Sequence, residues 1–159
     1  MGNKQTIIGI SPGTSLLGFS VFRGNVLVDY GIKSYSGKWS KRKLRHITAS
    51  IEKLIAQYAP QTVVMMVADI ESSSENVEQL NAEVESLLER KKLKLFKCAL
   101  QDIMRICCYG TVTVKEFHDC IMGQYPELAF IESHRLNWHI YYSKLFEAMG
   151  AIQWHFTEL

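Results

Sequence analysis

Short apolar runs over residues 7–11, 18–22 and 26–30 open the chain. The first is closed by Pro12-Gly13 and the last two are separated by Arg23-Gly24-Asn25, which predicts a three-strand antiparallel meander. The period then changes. Leu44, Ile47, Ile51, Leu54, Ile55 and Tyr58 recur at helical spacing over residues 40–58, and Pro60 stops the element. Residues 62–67 are apolar without alternation and rich in β-branched side chains, the composition of a central strand buried on both faces. Beyond the polar stretch Glu71-Ser72-Ser73-Ser74, the positions of Val77, Leu80, Val84, Leu87 and Leu88 predict a second amphipathic helix, and residues 93–98 a fifth strand.

The remainder reads as helical. Residues 100–107 predict a short helix broken by Tyr109-Gly110, and Thr113 with Glu116 has the spacing of a capping box opening a helix through Phe117, Ile121 and Met122. A last long helix is expected over residues 133–149, with Leu136, Trp138, Ile140, Tyr142, Leu145, Phe146 and Met149 covering more than one stripe. Such a helix is either deeply buried or shared with a partner. The order of elements gives an α/β class: a five-stranded mixed sheet, three antiparallel strands then two parallel, flanked by helices.

A chain of 159 residues with 47% hydrophobic side chains suits one compact domain over residues 1–159. No apolar stretch approaches the roughly 20 residues of a membrane span. Residues 1–6 lack the apolar core and cleavage site of a secretory signal, so a cytoplasmic location is expected. Cys98, Cys107, Cys108 and Cys120 form no Cys-x-x-Cys pair and no finger spacing with histidine, which leaves buried reduced thiols as the expectation.

The net charge of +2 conceals strong blocks. Residues 1–60 hold nine basic and two acidic side chains, 61–89 none and seven, 90–110 six and one, and 111–159 three and six. Blocks of this size predict surfaces of opposite sign, and the basic ones suit phosphate backbones.

The string Ile7-Ile8-Gly9-Ile10-Ser11-Pro12-Gly13-Thr14, followed by Gly18-Phe19-Ser20-Val21, resembles the opening of the RuvC family of Holliday junction endonucleases, of the ribonuclease-H-like fold. Gly110 with Lys115-Glu116 is similar to the family segment after its fifth strand, and His134-Arg135-Leu136-Asn137 to the start of its last helix. The resemblance implies a dimeric, metal-dependent nuclease for branched DNA, its carboxylates drawn from the first strand, the fourth strand and the last helix. Paired magnesium ions need such hard, anionic oxygen ligands to activate water and stabilise the leaving oxygen.

The acids are replaced here. Ser11 stands at the first-strand position, Met66 at the fourth-strand position, and His134 and Asn137 on the last helix. Asp69, Glu71 and Glu132 are the candidate substitutes, and only if they form an alternative acid set is magnesium expected; otherwise no cofactor is. Ser11 before Pro12 also suits a simple strand end.

Binding can outlast cleavage. Lys38, Lys41, Arg42, Lys43 and Arg45 crowd the start of the first helix, where the macrodipole disfavours cations by a few tenths to about 1 kcal/mol each, so phosphate contact is a candidate role. Arg105 and Lys115 fall in the segment with which the family binds DNA. A second basic set, Arg90, Lys91, Lys92, Lys94 and Lys97, flanks the fifth strand. Three readings follow: a homodimeric RuvC-like nucleic-acid binder without metal-dependent cleavage, an active endodeoxyribonuclease with a rearranged acid set, and a protein-interaction module dimerising through its last helix.

Overall fold

The computed structural model describes residues 4–68, 74–108, 113–131 and 138–158. Five strands, β1 (Thr6–Pro12), β2 (Leu16–Arg23), β3 (Val26–Ser34), β4 (Thr62–Val67) and β5 (Lys94–Ala99), form one sheet in the order β3-β2-β1-β4-β5. β2 runs antiparallel to β1 and β3, whereas β4 is parallel to both β1 and β5. The expected mixed sheet is therefore present. Because β1, β3, β4 and β5 point the same way, their carboxyl ends share one edge of the molecule.

Two cores sandwich the sheet. On one face Ile8, Ile10, Val63 and Met65 pack with Leu44, Ile47 and Ile51 of α1 (Lys41–Tyr58) and Leu80, Val84 and Leu87 of α2 (Glu75–Arg90). On the other, Ile7, Val64 and Met66 pack with Ile103 of α3 (Leu100–Cys108), Phe117 and Ile121 of α4 (Val114–Gln124), and Phe146, Met149 and Ile152 of the last helix. The alternation along β4 between the two cores is what its continuous apolar run encodes. Both long amphipathic helices open on serine caps: Ser40 accepts from the Lys43 amide and Ser74 from the Val77 amide. Thr113 caps α4 through the Glu116 amide, as the capping-box spacing predicts.

The last helix departs from expectation. A short α5 (Trp138–Tyr141) is followed, after a turn at Tyr142, by α6 (Ser143–Glu158), which runs well past Met149. Gly150 looks like a helix stop in sequence but is a packing residue: a Cβ there would fall 2.3 Å from Ile103 Cγ2. The broad apolar girth of α6 is explained within the chain, since it is buried from Leu145 to Ile152 between the sheet, α3 and α4.

Gly9 and Gly18 seat this helix. A Cβ at Gly18 would lie 2.0 Å from the Lys144 carbonyl oxygen, and one at Gly9 2.4 Å from that of Ala148. The Ser20 hydroxyl also donates to Ala148 O at 3.0 Å. The glycines of the opening motif thus let helix backbone rest directly on strand backbone. Among the described residues, no helix is long and apolar enough to cross a membrane.

Candidate functional site

Ser11 lies inside β1, paired across to Gly18, and is wholly buried. It does more than end a strand. Its hydroxyl donates to Glu147 Oε2 at 3.0 Å, and Glu147 is itself only 9% exposed. The Lys144 ammonium, one helical turn earlier, stands 3.4 Å from the same carboxylate oxygen. The parallel register of β1 and β4 ends at Ile10 and Met65, and one residue further it sets Ser11 beside Met66. Met66 is buried on the α6 face of the sheet, next to Cys98 of β5. Ser11, Met66, Lys144 and Glu147 therefore meet near the carboxyl ends of parallel strands, the usual ligand position in open α/β sheets.

Glu147 was not among the sequence candidates. Its signal is its isolation, one acid inside the apolar run from Leu145 to Ile152. Of the other acid-site candidates, Asp69, Glu71, Glu132, His134 and Asn137 lie outside the described residues.

The divalent metal implied by the resemblance does not fit the described part of this site. Ser11 offers a neutral hydroxyl, Met66 a soft thioether, and the one carboxylate already holds a cation in Lys144. Hard divalent ions require several anionic oxygens. Among the described residues no three His, Cys, Asp or Glu side chains converge as metal ligands.

A cleft of about 450 Å³ opens at the same edge of the sheet, between the end of β3 and the start of α1, lined by Lys38, Ser40, Arg42, Lys43 and His46 among others. The Tyr35 amide donates to Ser15 O at 2.9 Å, tying the cleft to the β1–β2 turn. No acid lines it among the described residues. Lys43 is only 8% exposed; its ammonium donates to Gly37 O at 2.8 Å and has no acidic partner among the described residues. A buried cation answered by one neutral carbonyl is costly, and an anion entering the cleft would relieve that cost. Lys41 and Arg45 are exposed and do not line the cleft. His46, which the sequence reading passed over, faces it because it follows Arg42 by one helical turn. Glu75 and Glu78 occupy the first turn of α2 at this edge, where Trp39 Nε1 donates to Gln79 Oε1 at 3.1 Å.

The remaining candidates lie elsewhere. Arg105 of α3 is exposed and pairs with Asp102 at 3.1 Å, and Lys115 is exposed in the first turn of α4, on the sheet face opposite α1. Arg90, Lys91 and Lys92 leave α2 at the amino ends of the parallel strands, and Lys97 is engaged by Glu85 at 2.6 Å.

Two further titratable groups are set by burial. Burial lowers His118 to about 4, helped by neighbouring His139, whose Nδ1 lies 3.1 Å from its own. Burial also pushes the Cys98 and Cys107 thiols up to about 12, which makes them unreactive.

No protein-family model matches the chain, and no curated protein matches it in sequence. Solved structures do match in shape. RuvC of Thermus thermophilus in complex with Holliday junction substrate superposes with a TM-score of 0.72 at 16% identity, covering 95% of this chain and 92% of that one. A second Thermus thermophilus RuvC structure gives 0.70 at 17% identity, covering 94% and 92%. The Fowlpox virus resolvase, in complex with Holliday junction DNA, gives 0.60 at 12% identity, covering 96% and 99%. The strand order, the parallel β1/β4/β5 core and these superpositions together give this chain the RuvC-like form of the ribonuclease-H-like fold.

Proposed function

We propose that this protein is a RuvC-like nucleic-acid-binding protein that engages branched DNA in the cytoplasm without metal-dependent cleavage. The observation that carries the reading is the cationic cleft: buried Lys43, with Lys38 and Arg42 beside it and no lining acid among the described residues, at the same sheet edge as Ser11. Lys41, exposed at the first position of α1 outside the cleft, and Arg105 and Lys115, on helices packed against the other face of the sheet, are assigned weaker contacts. The neighbours solved on Holliday junction DNA support a branched duplex as the ligand class. The neutral hydroxyl, thioether and lysine-paired carboxylate at the strand ends support binding without a divalent cofactor.

Fluorescence anisotropy with a labelled four-way junction and a linear duplex tests this. Phosphate neutralisation requires log affinity to fall linearly with log salt. The expected result is a steep slope, tighter junction binding, and intact DNA in magnesium or manganese. Affinity indifferent to salt would sink the reading in favour of a protein-interaction module. Metal-dependent cleavage abolished by substituting Asp69, Glu71 or Glu132 would favour the rearranged acid set. The resemblance also suggests a homodimer, which sedimentation equilibrium of the free protein would register as twice the chain mass.

A further inference from the structure

We propose that the Lys144 ammonium is a built-in countercation at the strand-end site, balancing Glu147 on one side while its exposed side donates to a phosphate oxygen. The proposal rests on the nucleic-acid reading and names one contact within it.

Three observations lead there. Glu147 is buried, yet its carboxylate has two partners that fix it: the Ser11 hydroxyl at 3.0 Å and Lys144 Nζ at 3.4 Å. One partner is neutral, so Lys144 carries the charge balance alone among the described residues. The lysine side chain is also held in place and only partly covered. It lies across the turn after β1, where a Cβ on Gly13 would come within 3.0 Å of Lys144 Cε, and 27% of the side chain remains exposed. An ammonium has three donors, and Glu147 engages one side of it, so the exposed side can still donate to a phosphate oxygen.

The third observation is positional. Lys144 sits in the first turn of α6, where the macrodipole disfavours a cation, and its one acidic partner among the described residues, Glu147, lies a turn further on. A helix start bearing a cation thus recurs on the same edge of the sheet as the start of α1, here with an acid to balance it. A phosphate bound there would meet the side chain of Lys144 rather than the helix main chain, whose Leu145 and Phe146 amides already donate to Tyr142 O. Among the described residues the arrangement also disfavours a divalent ion, because the ammonium occupies the approach to the one described carboxylate. A bound phosphodiester would then be held by charge with no metal-activated water beside it.

The test compares Lys144→Met, Lys144→Arg and, as a charge-matched control far from this edge, Lys91→Met, using the labelled four-way junction across a salt series. Lys144→Met is expected to weaken binding on the order of fivefold and to reduce the salt slope by about one, with Lys144→Arg near the unaltered protein and Lys91→Met nearly silent. Melting in manganese gives a readout independent of DNA. The unaltered chain is expected not to respond, whereas Lys144→Asp, which adds a second carboxylate beside Glu147, is expected to be stabilised by manganese. Equal losses in Lys144→Met and Lys91→Met, in a protein that does bind the junction, would overturn the Lys144 assignment alone. So would manganese stabilisation of the unaltered chain. Absence of salt-dependent binding by the unaltered protein would overturn the functional reading, and the phosphate contact with it.

Discussion

The chain carries two basic clusters of similar size, and their settings are opposite. Arg90, Lys91 and Lys92 close α2 at its carboxyl terminus, where cations complement the helix dipole and face water. Lys38, Arg42 and Lys43 gather at the amino terminus of α1, against the dipole, with Lys43 buried beside a carbonyl. The first arrangement satisfies local energetics and needs no ligand. The second is paid for elsewhere in the fold and makes physical sense once an anion is present. Charge counts alone do not separate the two; the helix end and the degree of burial do.

The largest effect that would break this comparison comes from the frame rather than the charges. Gly18→Ala drives a Cβ into the Lys144 main chain and is expected to cost about 3 kcal/mol or more, read as a lowered denaturant midpoint. DNA affinity should fall with the folded fraction even though no charge has changed. If affinity survived unfolding, binding would follow composition and the contrast between clusters would mean nothing.

Next in size is direct neutralisation. Lys38→Gln, Arg42→Gln and Lys43→Met combined are expected to weaken junction binding at least about tenfold and to flatten the salt slope by about two to three. Arg90→Gln, Lys91→Gln and Lys92→Gln combined should change affinity less than about twofold in the same buffer. Equal losses would show that either cluster serves as well.

The smallest effect concerns pH. His118 has a folded pKa near 4, below its ordinary value of about 6.5, so its neutral form stabilises the fold. That contribution is complete above about 6.5 and is lost as pH falls toward 4. Thermal melts should show a decline over this window that His118→Phe reduces. The two clusters are therefore best compared above pH 6.5, where His118 does not alter the folded fraction.

Much of the sheet was legible because its signals are local. The two-face burial of residues 62–67 follows from their unbroken apolar run, and Met66, the residue at the fourth-strand position, lies where the β1–β4 register sets it beside Ser11. The partner of Ser11 was not legible. Helical periodicity gives a face but not an end, so the expected span of 133–149 stops short of the buried turns that run to Ile152. The resemblance points to residues 132–137, whereas Glu147, the partner of Ser11, lies 136 residues from it in sequence, a separation no local pattern bridges. Lys43 shows the same limit. Its position in a basic run is plain, but its ammonium donates to the carbonyl of Gly37, in a loop whose path the sequence pattern does not specify.

The contact of α6 with Gly18 is made by main chain on both sides, and at Gly9 the Ala148 carbonyl oxygen comes nearest. Peptide groups are common to every residue, so this part of the docking does not depend on the side chains at the strand tips. Mutation can exchange acids for a hydroxyl, a thioether or an amine at the strand tips while the scaffold stays in place. A lineage built this way can lose one chemistry and try another without first having to refold.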